Sequence, residues 1–142
     1  MTGRCFADTN LLIYMVDRAE PEKGEAARRV WEAEAGSGNL VLSTQVLQEF
    51  YAVVTRKGKP PMRPEQAEEY ALHFAREPVV PSDALLVLSA IRRSRADGLA
   101  IWDCLIIEAA LAAGCTRLLT EDFQHGRRFG DLVVENPFAA VG

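Results

Sequence analysis

Arg4-Cys5-Phe6-Ala7-Asp8-Thr9-Asn10-Leu11-Leu12-Ile13-Tyr14 is the stretch that decides the fold. A short apolar segment runs into an acid, a hydroxyl and an amide, and a second apolar run follows at once. The pattern reads as a buried strand that ends at Asp8, with a helix starting just after it. Aspartate is depleted in strands and rarely buried without a partner, so Asp8 has no evident packing role. In open α/β sheets, ligands bind outside the carboxyl ends of the strands. The expectation is that Asp8 anchors a metal ion and that acids later in the chain fold back to meet it.

Outward from that stretch, short apolar strands alternate with helical patterns. Pro21-Glu22 opens a helix, with proline in the first turn and an acid near the positive end of the dipole. Its stripe is Ala27, Val30, Trp31 and Glu34, and Gly36-Ser37-Gly38-Asn39 stops it. Leu40-Val41-Leu42 is a buried strand. Ser43 or Thr44 caps the next helix, whose core face is Val46, Leu47, Phe50, Val53 and Val54, with Glu49 at the margin. A helix from Pro64-Glu65 to near Glu77, a very short strand at Val79-Val80, and a helix capped by Ser82 follow. Asp97-Gly98 turns the chain into a buried helix from Trp102 to Ala113. Arg117-Leu118-Leu119-Thr120 is a strand ended by Glu121-Asp122, and Leu132-Val133-Val134 is the last strand. The alternation predicts an α/β fold over residues 1–142: one domain with a short, mostly parallel sheet of about four to five strands and helices on both faces. Two strands end in acids; as parallel neighbours they would bring those acids to one edge.

The 142 residues are enough for one domain with a real core. Cys5, Cys104 and Cys115 are odd in number and lack ligand spacing, which argues against a disulfide framework or structural zinc and for a reducing cytoplasm. No apolar run reaches the ~18 residues of a membrane span, and no basic-then-apolar leader is visible. The net charge of −4 comes from 16 basic and 20 acidic side chains, which excludes a uniformly basic nucleic-acid coat but not a nuclease. Four acids gathered at one site would account for the whole excess.

Asp8, Glu49, Asp103 and Asp122 are those acids. Taken singly, Asp103 could cap its helix, Glu49 could be a solvated helix margin, and Asp122 could be a turn residue. Taken together, carboxylates this close would repel one another unless one held a proton or a divalent cation joined them. All-oxygen sites suit Mg2+ or Mn2+, ions that polarise a phosphodiester and lower the pKa of water.

The ordered set Asp8-Thr9-Asn10, Gln48-Glu49-Phe50, Trp102-Asp103-Cys104-Leu105-Ile106 and Thr120-Glu121-Asp122-Phe123 resembles the PIN-domain family, most closely its VapC-type ribonuclease toxins. Gln124-His125-Gly126 and Asn136-Pro137-Phe138 match a common subgroup. The resemblance spans essentially the whole chain. It implies a Mg2+- or Mn2+-dependent endoribonuclease of a type II toxin–antitoxin pair, cutting by in-line attack of hydroxide on phosphorus to leave a 5′-phosphate and a 3′-hydroxyl. It implies Asp8 and Asp103 as core metal ligands, with Glu49 and Asp122 completing the acidic pocket directly or through water. Thr9, Thr120 and Asn10 would orient acids or a phosphate. Side chains alternate in direction along a strand end, so only one of Glu121 and Asp122 should face the metal; the family position favours Asp122. The implied partners are RNA, an antitoxin covering the active site, and a second copy of the chain.

Basic groups at Arg56, Lys57 and Lys59, at Arg92, Arg93 and Arg95, and at Arg127 and Arg128 could grip RNA phosphates or simply be solvated surface. Arg127 and Arg128 are the favoured pair, since they follow Asp122 closely. His125 reads as structural, and Trp31, Trp102 and Phe50 as core. Tyr51, Val54 and the helix from Pro64 are candidate apolar contact surfaces. Two competing readings are a PIN-like RNA-binding or regulatory module that does not cleave, and a receiver-like phosphoacceptor. The second lacks the acidic pair after the first strand and a lysine ending a late strand.

Overall fold

The computed structural model describes residues 3–57 and 60–139; Lys59 of the expected basic loop lies outside them. In chain order the elements are β1 (Cys5–Ala7), α1 (Thr9–Val16), α2 (Pro21–Gly36), β2 (Leu40–Ser43), α3 (Thr44–Arg56), α4 (Pro64–Phe74), β3 (Val79–Val80), α5 (Ala84–Asp97), α6 (Ile101–Ala112), β4 (Arg117–Leu119), β5 (Arg128–Phe129) and β6 (Leu132–Glu135). The strands form one sheet in the order β3-β2-β1-β4-β6-β5. Neighbours are parallel except β5 and β6. Every residue of β1, β2 and β4 is buried, which requires cover on both faces of the sheet.

Trp31 of α2, Phe50 of α3 and Phe74 of α4 form one edge-to-face aromatic cluster, with centroids 5.1 Å apart for both Trp31–Phe74 and Phe50–Phe74. Trp31 and Phe50 are thus core, as expected. Gly24 lets α2 approach α1: a Cβ there would stand 2.8 Å from the Tyr14 carbonyl oxygen. Arg28 reinforces the contact, its Nη1 donating to the Met15 carbonyl at 3.0 Å. At the other end of β4, buried Arg117 pairs bidentately with Glu34 at 2.6 and 2.8 Å, and its Nη2 also donates to the Gly3 carbonyl.

Some boundaries differ from expectation. Asp83, not Ser82, caps α5, its carboxylate accepting from Leu86 N–H. Ser82 is engaged instead with Thr44 at the start of α3, through both its backbone N–H and its hydroxyl. Helix α4 stops at Phe74 because the residue before Pro78 is disfavoured in helical conformation, and residues 75–77 close as turns. Strand β5 was not expected; two residues carry no periodicity to read. Trp102 is not core: it is 64% exposed. On α5, only Leu86 and Ala90 are buried, while Leu85, Leu88 and Ile91 face solvent. Among the described residues no helix is long and apolar enough to cross a membrane. Cys5, Cys104 and Cys115 are free and buried.

Candidate active site

The register of the central strands builds the site. Ala7 of β1 lies opposite Leu119 of β4, so the next residues, Asp8 and Thr120, meet at the carboxyl edge. Backbone bonds hold both beyond the strands: Asp8 N–H donates to Leu119 O at 3.0 Å, and Thr120 N–H donates to Glu135 O at 3.1 Å. Strand β1 ends at Ala7, and Asp8 caps α1, accepting from Thr9 N–H at 2.7 Å. Its other oxygen, Oδ2, accepts from the Thr120 hydroxyl at 2.8 Å. Thr120 Oγ1 in turn accepts from Asp122 N–H at 3.0 Å and from Asn10 Nδ2 at 3.5 Å. One hydroxyl thereby joins Asp8, Asn10 and the loop that carries Asp122.

Glu49 reaches the same place from α3. Its Oε1 accepts from the Thr9 hydroxyl at 2.7 Å, and its Oε2 from Gln45 Nε2 at 3.5 Å. Gln45 Nε2 also donates to the Trp102 carbonyl at 3.1 Å, which ties α3 to the first turn of α6, where Asp103 stands. The acids are graded in depth: Asp8 is buried, Glu49 and Asp103 are half-buried, and Asp122 is exposed. Sequence reasoning missed Gln45, although its position one helical turn before Glu49 was a readable signal.

The electrostatics follow from this crowding. Burial raises the Asp8 pKa, the Thr120 and Thr9 hydrogen bonds oppose it, and Asp122 and Glu49 raise it further, to about 7. Asp103 is also raised, by burial first and then by Asp122 and Glu49. Among the described residues no lysine, arginine or histidine forms an ion pair with any of the four acids. Asp8 and Asp103 thus each lie in the field of Glu49 and Asp122, with no cation of the described residues paired to any of the four.

Glu121 does not belong to that set. It accepts from Tyr14 OH at 2.6 Å through Oε1 and from Lys23 Nζ at 3.3 Å through Oε2. Lys23 also donates to Tyr14 OH and lies over the Tyr14 and Phe138 rings. Phe138, from the closing Asn136-Pro137-Phe138, packs edge-on against Tyr14 at 4.8 Å. Neither Tyr14 nor Lys23 was singled out from the sequence.

Arg127 and Arg128 sit at the far edge of the sheet. Arg127 lies across the rings of Phe123 and Phe129, 5.9 and 4.8 Å from their centroids, and Arg128 is exposed on β5. Arg93 is engaged with Glu108 and Asp97. His125 is structural, its Nδ1 accepting from Asn136 N–H at 3.0 Å.

A hard divalent cation meets the right donor chemistry here: the site is all oxygen and negatively charged. Two buried acceptors, Asn10 Oδ1 and Gln45 Oε1, have no hydrogen-bond donor among the described residues and suit water around an ion. Among the described residues, however, no three acid, histidine or cysteine side chains stand close enough to ligate one ion directly.

Comparison with known proteins accords with this architecture. No curated protein is found to match this chain. Similar solved structures include VapBC2 from Rickettsia felis bound to a DNA fragment from its promoter, at 20% identity and a TM-score of 0.65, covering 93% of this chain and 97% of that one. DNA-bound VapBC from Salmonella typhimurium gives 16% identity and 0.67, over 96% and 99%. Mycobacterium tuberculosis VapC20, a sarcin-ricin loop cleaving toxin, gives 19% and 0.66, over 83% and 91%. At these identities the likeness is one of fold. The family model for the PIN domain matches residues 5–128, a span that takes in Asp8, Glu49, Asp103 and Asp122, and the chain belongs to the PIN domain family.

Proposed function

We infer that this protein is a Mg2+- or Mn2+-dependent endoribonuclease, the toxin of a type II toxin–antitoxin pair, acting in the cytoplasm. The observation that carries the reading is the set of four acids, none of them in an ion pair among the described residues, gathered around the carboxyl edge of β1 and β4. Asp8 and Asp103 would hold the cation, with Glu49 and Asp122 acting through water, consistent with the spacing of the acids. When bound, the cation supplies charge neutralisation for the phosphodiester and a lowered pKa for water. The chain's own contribution is placement. Thr120 and Thr9 N–H keep Asp8 oriented and favour its ionised form, Thr9 Oγ1 orients Glu49, and Asn10 and Gln45 offer acceptors to bound water.

The neighbours that are VapBC complexes support an antitoxin as partner. A groove of about 580 Å3 suits its docking segment. Ile13 and Val16 of α1, Val53 and Val54 of α3, then Met62 and Tyr70 line it, with Lys57 and Arg63 exposed beside them. A segment with apolar anchors and acidic flanks complements that surface. The groove is lined by the C-terminal halves of α1 and α3, the helices that carry Asp8 at the N-cap and Glu49 earlier in the chain. A second copy of the chain is the other proposed partner.

The test is incubation of the purified protein with RNA and Mg2+ or Mn2+, then with chelator, beside Asp8→Asn. Cleavage that needs the ion and is lost in the variant supports the reading; cleavage that persists in chelator overturns the metal mechanism. That no three ligating side chains stand together among the described residues favours one second reading, a PIN-like module that binds RNA without cutting. It predicts a metal-dependent rise in melting temperature with RNA left intact.

A further inference from the structure

The chain has two tryptophans, and the fold treats them oppositely. Trp31 is 5% exposed and edge-on to Phe74. Trp102 is 64% exposed, and among the described residues no aromatic ring or cation pairs with its indole. Its backbone, by contrast, is built into the acidic mouth. It stands in the first turn of α6, one residue ahead of Asp103, and its carbonyl accepts from the Gln45 amide that also reaches Glu49.

Among the described residues no lysine, arginine or histidine forms an ion pair with the four acids, and the cations beside the loop of Asp122 are engaged elsewhere, Lys23 with Glu121 and Arg127 with the rings of Phe123 and Phe129. The basic residues nearest in sequence to Asp122, Arg127 and Arg128, lie at the outer edge of the sheet. A polyanion that places one phosphodiester among these acids needs a second attachment that does not depend on charge. Each nucleotide carries one in its base, whose face stacks on an aromatic ring regardless of sequence.

The geometry points to Trp102 as a binding platform for an unpaired nucleobase next to the phosphodiester that enters the acidic mouth. The inference rests on the nuclease reading and assigns Trp102 the part of holding a base that is free of a duplex stack. A base inside a duplex has both faces covered by its neighbours and cannot use the platform, whereas a splayed loop base can.

Two variants of the full chain test it, Trp102→Ala and Trp102→Phe. Both should melt close to the parent, since the residue is mostly exposed. With an unstructured oligoribonucleotide and Mn2+, Trp102→Ala should raise KM about tenfold or more while kcat stays within about threefold, and Trp102→Phe should recover most of the loss. Independently of turnover, the same oligonucleotide added to the Asp8→Asn protein should quench tryptophan emission. The quench should vanish in Asp8→Asn/Trp102→Phe, because Trp31 is buried. An unchanged KM, or a quench that survives without Trp102, overturns the platform. So does a change in oligomeric state with Trp102→Ala in sedimentation, which would assign the ring to a contact between copies. If the parent cuts no RNA with either ion, the nuclease reading falls. The quench then decides the platform alone: its presence supports the platform, and its absence overturns it.

Discussion

The Thr120 hydroxyl donates to Asp8 Oδ2 at 2.8 Å while accepting from the backbone of Asp122 at 3.0 Å, so one side chain sets the position of two acids. Thr120→Val keeps the shape and removes both bonds. A hydrogen bond to a charged group contributes about 1.5–3 kcal/mol, so the expected loss in divalent-ion affinity and in cleavage is roughly 10- to 100-fold. Ion titration by calorimetry checks it, with Thr120→Ser as the variant that should restore binding.

Asp8 carries a pH signature. Burial holds its proton in the folded chain up to about 7, against an ordinary value of 3.8. Between those two values the unfolded chain has released a proton that the folded chain keeps, so stability falls as pH rises through that window and levels off above it. Asp8→Asn removes this dependence. The ion-free variant should therefore melt above the parent at about pH 8 and lose that advantage near pH 4. Added Mn2+ at the higher pH should raise the melting temperature of the parent only.

Glu121 and Asp122 are separable by experiment. The Tyr14 hydroxyl and Lys23 already occupy the Glu121 carboxylate, whereas Asp122 is exposed at the mouth. Glu121→Gln should leave ion affinity within about threefold, and Asp122→Asn should weaken it by about tenfold or more, as expected for loss of one carboxylate near a divalent ion. The reverse ranking would exchange their roles.

Arg117 and Glu34 supply a stability test remote from the acids. Their pair is nearly buried, and among the described residues Arg117 Nε has no partner, so Glu34→Ala leaves a guanidinium inside the protein with only the Gly3 carbonyl to accept from it. The expected cost is about 3–5 kcal/mol, read as a lower urea midpoint. RNA cleavage per folded molecule should not change.

Met62→Glu probes the proposed antitoxin groove. A charge among Ile13, Val53 and Tyr70 should weaken antitoxin binding by about tenfold or more, since a buried unpaired carboxylate is costly. Cleavage by the free protein should persist, so expression of the variant should arrest growth even beside its antitoxin.

Much of this architecture was legible because its signals are local. Short strands running into acids mark both β1, Cys5-Phe6-Ala7 before Asp8, and β4, Arg117-Leu118-Leu119 before Thr120 and Glu121-Asp122, and Pro21, Pro64 and Gly98 punctuate the helices where expected. The parallel pairing of β1 with β4 then made Asp8 and Asp122 neighbours at one edge. What stayed hidden depends on tertiary contact. The Tyr14–Glu121–Lys23 cluster joins three elements with no shared motif, and Gly24 matters only because α1 crosses it closely. Trp102 looked like core because its helix is apolar on nearly every side; its exposure follows from where the first turn of α6 meets the surface. Asp83 was passed over for Ser82, since either residue type can cap and only the contact of Ser82 with Thr44 separates them.

The central strand pair also has a consequence during synthesis. Asp8 and Thr120 are 112 positions apart, so a ribosome exposes the first long before it makes the second. Any fragment that stops short of β4 can pair β1 with β2, but its aspartate lacks both the Thr120 hydroxyl and the Leu119 carbonyl that hold it in the finished fold. On the nuclease reading, strand order thus acts as a timer: the blade cannot exist until β4 has been made.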